Sequence, residues 1–260
     1  MICLLTDFGE KDGATASMKG VIKSVNIEAE ILDISHNITP YSVEEGAFVL
    51  WRCFRYYPDG TIFVVIVDPG VGSSRRPILL QTDRYYFIAP DNGILTYIIN
   101  SSPVWKANLL SNRDYQLHNV SSTFHGRDIF APASAHLSLG VEVTSFGKEI
   151  HDPVKLPFNR AKKEGESIKG EIIFFDQYGN AYTNIEKEKF QRELYHKSYE
   201  LSINNRKVMS RIALGESFST VEVGEALLYW GSSDLLEIAM NQRNLREKYG
   251  LKYGDQITLN

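Results

Sequence analysis

The segment Thr61–Val67 (Thr-Ile-Phe-Val-Val-Ile-Val) is an unbroken apolar run rich in β-branched residues. That is the pattern of a strand covered on both faces, and it constrains the fold more than any other feature of the chain. The residues before it alternate between strand and helix patterns. Ile2–Thr6 is a short apolar run; Met18, Val21, Ile22 and Val25 then recur at helical spacing, which predicts a helix over Ala14–Asn26. Ile31–Ile34 reads as the next strand. Ser42-Val43-Glu44-Glu45 has the spacing of a capping box, and Ala47, Phe48, Val49, Leu50 and Phe54 supply a broad apolar face before the turn at Pro58-Asp59-Gly60. This β–α–β–α–β order predicts an α/β fold: a largely parallel sheet with right-handed crossovers, flanked by helices. Reactive side chains in such sheets lie beyond the carboxyl ends of the strands. The loops that start at Asp7, Ser35 and Asp68 are therefore expected along one edge.

Further on, Ile78–Thr82 and Tyr85–Ala89 read as a hairpin around Asp83-Arg84, and Arg127–Leu139 as a helix closed by Gly140. The texture changes near residue 160. Asn159–Ser167 is charged and lacks an apolar anchor, so it is expected to link an N-terminal α/β domain (1–158) to a smaller β-rich domain (168–260). The second domain is dominated by short strand-like runs: Ile168–Phe175, Tyr199–Ile203, Ala226–Trp230, Leu235–Met240 and Gln256–Leu259. Brief helical patterns, Glu186–Leu194 and Asn244–Tyr249, interrupt them. The arrangement predicts a barrel.

Composition narrows the function. Of 260 residues, 43% are hydrophobic and 12% aromatic, enough for a real core. Lys+Arg 28 against Asp+Glu 32 leaves −4, so no basic surplus exists to neutralise nucleic acid or an anionic membrane. The longest apolar run, Ile62–Val67, is far too short to span a bilayer. Asp7 precedes any long apolar stretch, so no secretory signal is expected. Cys3 and Cys53 sit in apolar surroundings that suit buried thiols in a reducing compartment. A cytoplasmic protein without a membrane or nucleic-acid partner is expected.

Several polar loops could carry chemistry. Asp68-Pro69-Gly70-Val71-Gly72-Ser73-Ser74-Arg75-Arg76 joins an acid, two permissive glycines and two arginines directly after the buried strand. Pro77 and a strand follow it, which excludes a phosphate-cradling loop. Taken alone, it reads equally as a tight turn closed by an ion pair. Ser122-Thr123-Phe124-His125-Gly126-Arg127-Asp128 sets a histidine just before a helix, either facing a cleft or capping the turn. Asp7 and Asp12 flank the loop after the first strand; a carboxylate such as Asp7 can accept both hydroxyls of a ribose, or either acid can cap the loop. Asp176-Gln177-Tyr178-Gly179-Asn180 is turn chemistry in which Asn180 could also read an adenine edge, and Trp230-Gly231-Ser232-Ser233 is similarly ambiguous. The other histidines share no ligand spacing, so no metal site is expected.

The order of these elements is more telling than any one of them. Thr6-Asp7-Phe8-Gly9, Asp33-Ile34-Ser35-His36 with Ile38-Thr39-Pro40, Glu44-Glu45-Gly46-Ala47, the Asp68–Arg76 loop, Pro90-Asp91-Asn92-Gly93, Ser122–Asp128 and Asp176–Asn180 follow in succession. The series resembles the S-adenosylmethionine (SAM) hydrolases, or SAM hydroxide adenosyltransferases, relatives of the fluorinating and chlorinating SAM enzymes. The resemblance implies an α/β N-terminal domain, a β-barrel C-terminal domain, and a homotrimer holding SAM between the N-terminal domain of one subunit and the C-terminal domain of the next. It implies that Asp68, Arg75 and His125 activate water. Asp7 would hold the ribose diol, with Tyr41 beside the ribose and adenine. Asp12, Asp176 and Ser232 would grip the methionine amino and carboxylate groups, Asn180 the adenine, and Phe218 would stack. Ser233 stands where halogenating relatives often carry arginine, and Met240 and Gln242 differ from their adenine-side residues. The expected reaction turns SAM and water into adenosine and L-methionine without cofactor or metal. Three alternatives remain: a SAM-dependent halogenase, a non-catalytic SAM or adenosine binder, and a metal-assisted phosphoesterase built on Asp7, Asp68 and His125.

Overall fold

In the computed structural model, which describes residues 1–157 and 159–260, the run at 61–67 becomes an interior strand of a sheet. The strands of that sheet are β1 (Ile2–Thr6), β2 (Ile31–Ser35), β3 (Ile62–Ile66), β4 (Pro77–Thr82), β5 (Tyr86–Pro90), β6 (Trp105–Leu109) and β7 (Glu149–Ile150). Among the described residues their order is β2-β1-β3-β5-β4-β6-β7. β2, β1, β3 and β5 run parallel, whereas β4 pairs antiparallel with both β5 and β6, and β7 antiparallel with β6. The parallel half comes from the two expected crossovers, α1 (Ala14–Val25) and α2 (Val43–Cys53); the antiparallel half begins with the expected hairpin.

Alternation along β3 divides the core. Ile62, Val64 and Ile66 pack with Leu4, Met18, Ile22 and Phe130 on one side of the sheet, while Phe63, Val65 and Val67 pack with Leu50, Phe87 and Ile98 on the other. α1 covers the first side. α2 and α3 (Thr96–Ser101) cover the second. Ser42 caps α2 by accepting the Glu45 N–H at 3.4 Å. The reciprocal half of the capping box is displaced, because the Glu45 carboxylate accepts from Thr39 N instead. The helix expected over Arg127–Leu139 starts as a single π-helical turn, Gly126–Phe130, and continues as α4 (Ala131–Ser138), with Gly140 beyond it at φ +88.

The chain divides into two compact units, Met1–Leu156 and Pro157–Asn260. Phe158, the expected last residue of the first domain, lies outside the described residues. The segment 159–167, expected as a linker, carries β8 (Lys162–Glu164), which is paired with the start of β9 (Ser167–Phe175). Asn159 is also tied to this unit, through Asn184 Nδ2 at 2.9 Å and Glu171 Oε2 at 2.8 Å.

The second unit continues with β10 (Ala181–Glu186), α5 (Lys187–Phe190), β11 (Ser198–Ile203), β12 (Arg206–Gly215), β13 (Ala226–Trp230), β14 (Leu235–Met240), α6 (Leu245–Tyr249) and β15 (Gln256–Leu259). Among the described residues, β9, β10, β14, β13, β12, β11 and β15 close on themselves as a seven-stranded barrel. Its interior holds Ile172, Leu201, Ile212, Leu228, Leu236, Ile238 and Ile257. The helix expected over Glu186–Leu194 shrinks to the single turn of α5, because Ala181–Glu186 is drawn into the barrel ahead of it.

Candidate active site

Three loops of the first unit, which follow β1, β3 and β6 in the chain, carry the candidate residues, and each is held by its own polar contacts. Thr6, fully buried, accepts the Phe8 N–H on Oγ1 at 3.2 Å and pairs with His36 Nδ1 at 2.9 Å; His36 Nε2 lies 2.9 Å from Asp33 Oδ1. This fixes the backbone that presents Asp7. Asp7 Oδ2 accepts the Tyr41 N–H at 2.9 Å. Tyr41 adopts φ 69, in the left-handed region a non-glycine residue rarely enters, and is 74% exposed. Asp12 accepts from Ala14 N at 3.0 Å, at the entrance to α1.

The loop after β3 closes on itself through Ser73, whose Oγ donates to the Gly70 carbonyl at 2.6 Å and accepts the Arg75 N–H at 3.2 Å. That turn aims the Arg75 guanidinium back at Asp68. Arg75 Nε donates to Asp68 Oδ1 at 3.1 Å, and Nη2 donates to Oδ2. The same Nη2 lies 3.2 Å from His125 Nδ1. The Asp68 and Arg75 side chains are only 5% and 6% exposed. Asn92 Nδ2 braces the end of β3 by donating to the Val67 carbonyl at 2.8 Å. The second arginine of the motif points elsewhere: Arg76 bridges Asp91 and Asp152.

His125 is placed by the turn around it. Asp128, fully buried, accepts Ser121 N at 2.8 Å and Arg127 Nε at 2.6 Å, and Phe124 packs edge-on against Phe8. Gly126 is closely packed, since a Cβ there would lie 3.2 Å from the Phe8 ring and 3.3 Å from Met18 Sδ, and those side chains would have to give way.

Electrostatics set the state of His125. Burial, then the adjacent Arg75 guanidinium, hold the His125 imidazole below the ordinary histidine value, so it is neutral at pH 7. Arg75 can only donate, so Nδ1 is the accepting nitrogen and Nε2 carries the proton. Among the described residues Arg75 Nη1 is buried and has no hydrogen-bond partner. A buried guanidinium N–H left unpaired is costly and marks a place for a polar ligand atom. No group of three or more His, Cys, Asp or Glu side chains able to hold a metal occurs among the described residues.

In the second unit, Asp176 Oδ1 accepts the N–H groups of Tyr178 and Asn180, and Oδ2 accepts Asn180 Nδ2 at 2.9 Å. The structure thus uses Asp176 to build its own turn and leaves one lone pair free on Oδ2. Asn180 is buried, while Ser232 is exposed. Phe218 is exposed and leans on Tyr229, with ring centroids 5.2 Å apart. Sequence reasoning passed over Tyr178, which stands 67% exposed on the same turn as Asp176 and Asn180; an aromatic residue in a polar turn was the available signal. It named Gly72 only as a permissive glycine of its loop; the packing of Gly72 against Ser122 is a contact that no spacing announces.

Comparison with known proteins agrees with this architecture. Residues 2–147 match the SAM hydroxide adenosyltransferase N-terminal domain and residues 170–258 its C-terminal domain. A protein named (R)-S-adenosyl-L-methionine hydrolase from Thermus thermophilus is 32% identical, covering 99% of this chain and 98% of that protein. A fluorinase from an Actinoplanes species is 27% identical over 100% of this chain and 97% of its own length. The crystal structure of an uncharacterized conserved protein from Thermotoga maritima superposes with a TM-score of 0.94 at 35% identity, covering 100% of this chain and 99% of that one. With both domain matches in register along nearly its whole length, the chain belongs to the SAM hydroxide adenosyltransferase family.

Proposed function

We propose that this protein hydrolyses SAM to adenosine and L-methionine by attack of water on the ribose 5′ carbon. One observation carries the reading: the buried Arg75 guanidinium joins Asp68 to His125 and still has an unfilled donor, Nη1. A water oxygen bound at that N–H lies beside a fixed cation that stabilises developing hydroxide. His125 is neutral there, but its one lone pair, at Nδ1, accepts from the same guanidinium, so the imidazole takes the water proton only as that hydrogen bond is exchanged for one from the water. Asp68 holds the guanidinium in place through both oxygens.

The leaving group explains why so small a set suffices. The sulfonium departs as a neutral thioether and needs no general acid, and an electrophile that carries its own positive charge needs no Lewis acid. Hydroxide and sulfonium lose their charges together in the transition state. Excluding bulk water while keeping one molecule therefore favours the reaction.

The motif order supports the substrate contacts: Asp7 on the ribose, Tyr41 beside it, Asn180 and Phe218 toward the adenine, and Asp12, Asp176 and Ser232 toward the methionine end. It supports a cytoplasmic homotrimer whose sites are completed by a neighbouring subunit. The relatives named hydrolase point the same way. Incubation of the purified protein with SAM, with product analysis, tests the reading. Adenosine and methionine should appear in equal amounts without added halide. A 5′-halo-adenosine product or halide-dependent loss of SAM would make it a halogenase, and saturable SAM binding without methionine release would make it a binding module.

A further inference from the structure

The loop that carries Asp68 and Arg75 leaves the sheet after Val67 and returns to it at Arg76. Two consecutive residues at the end of β5 hold both of these feet. Asn92 Nδ2 donates to the Val67 carbonyl at 2.8 Å, while its Oδ1 accepts the Ile94 N–H at 3.2 Å. Asp91 N donates to the Arg76 carbonyl at 2.9 Å, which extends the antiparallel ladder one step beyond the Pro77–Pro90 pair. The Asp91 side chain, only 1% exposed, accepts Arg76 Nε on Oδ2 at 2.7 Å and the Val154 N–H on Oδ1 at 2.7 Å. Both carboxylate oxygens are thus engaged by different donors. An amide has a single acceptor oxygen and could serve only one of the two positions.

The other contacts of the Arg76 guanidinium run to Asp152, where Nη1 donates to Oδ1 at 2.9 Å and Nη2 to the carbonyl at 2.8 Å. The Asp152 side chain is 79% exposed. An ion pair screened by water holds little, whereas breaking one to a buried carboxylate is costly, so the firm end of the bridge is Asp91. Arg75 is the residue immediately before Arg76, and its own guanidinium lies 3.2 Å from His125 Nδ1. A shift of the backbone at Arg76 therefore passes straight to the group that joins Asp68 to His125.

We propose that Asp91 is a positioning residue for the reactive loop: by gripping Arg76 it fixes the backbone that aims Arg75 at Asp68 and His125. The role rests on the hydrolase reading for what the loop does, and adds the support that keeps it aimed. The His125 imidazole reports on that support. Burial is the largest influence lowering its pKa; Arg75 and Arg113 lower it as well, and Asp68 and Asp128 raise it. An Arg75 that drifts away lowers it less and leaves Asp68 unpaired, so the midpoint rises. Removing the negative charge of Asp91 acts directly in the opposite sense, because a lost anion disfavours the imidazolium. The direction of the change separates positioning from bare electrostatics.

Wild type, Asp91→Asn, Arg76→Lys and Asp152→Asn are compared by NMR titration of His125, by the kinetics of adenosine release from SAM, and by thermal melting. Arg76→Lys keeps the charge and loses the planar fork. Asp91→Asn and Arg76→Lys should each raise the His125 midpoint by roughly half a pH unit and lower kcat about tenfold, with KM nearly unchanged. Asp152→Asn should leave both readings at their wild-type values. Should Asp91→Asn fail to fold, Arg76→Lys decides alone, since that side chain is partly exposed. A midpoint that stays or falls in either folded variant overturns the role of Asp91, whatever kcat does. An equal effect of Asp152→Asn also overturns it, by assigning the grip to the surface bridge. No adenosine release from SAM by the wild type overturns instead the hydrolase reading, and the His125 midpoints still decide the role of Asp91.

Discussion

Gly72 rests on the carbonyl oxygen of Ser122, where a Cβ would lie 2.2 Å away. This contact joins the loop that carries Asp68 and Arg75 to the loop that carries His125. It lets side chains 50 positions apart in sequence meet at 3.2 Å. Gly72 also adopts φ +76, so two separate demands fall on one residue. Gly72→Ala should move the two loops apart, lower kcat by about tenfold or more, and lower the stability of the folded protein by more than about 1 kcal/mol. Kinetics with SAM and a thermal melt check both parts; a wild-type kcat would show that the loop contact does not set the site.

Removing the reactive groups should separate chemistry from binding. Asp68→Ala and His125→Ala should each lower kcat by about 10²–10⁴-fold, with SAM affinity by calorimetry changing little. Turnover at the wild-type rate in either variant contradicts the roles assigned to them.

The charge environment of His125 predicts its titration. Its folded value lies below the ordinary histidine range because of burial first and Arg75 second, with Asp68 opposing them. A base whose pKa is depressed stays active to lower pH, so the acid limb of kcat/KM should fall below about pH 6.5. Arg75→Gln removes one lowering influence and should raise the midpoint of the His125 imidazole, read by NMR titration. A midpoint that falls or does not move contradicts the coupling.

Asp128 predicts a stability effect with a defined sign. Burial favours its neutral form, but the hydrogen bonds from Arg127 and Ser121 outweigh it and hold the carboxyl below its usual value. A depressed carboxylate stabilises the fold above the unfolded pKa, about 3.9, and that contribution fades as pH drops through the lower folded value. Asp128→Asn should cost about 1–3 kcal/mol at pH 7, and the gap to wild type in urea melts should narrow below pH 4. An unchanged gap at acid pH would assign the loss to packing.

The strongly periodic parts of the fold were legible in the sequence. β1, β13, β14 and β15 fall where the apolar runs place them, and the two crossover helices follow from spacing and capping. β12 was not legible: Arg206, Lys207, Ser210 and Arg211 break its alternation, and it is held by pairing with β11 and β13. The charged stretch 159–167 lacks an apolar anchor, yet backbone pairing to β9 organises part of it. At the site, motif order identified the family and singled out Asp68, Arg75 and His125, which the fold brings together. It could not show that Arg76 turns away to tether Asp91 and Asp152, that Asp176 is engaged in its own turn, or that Gly72 closes the gap between loops. Those facts depend on tertiary contacts between segments far apart along the chain.

The source of the new oxygen atom bears most directly on whether solvent held at Arg75 is the nucleophile. With SAM in ¹⁸O-water, mass spectrometry should find the heavy isotope in the 5′ hydroxyl of adenosine and none in methionine. Unlabelled adenosine, or label carried by methionine, would contradict attack of water at the 5′ carbon.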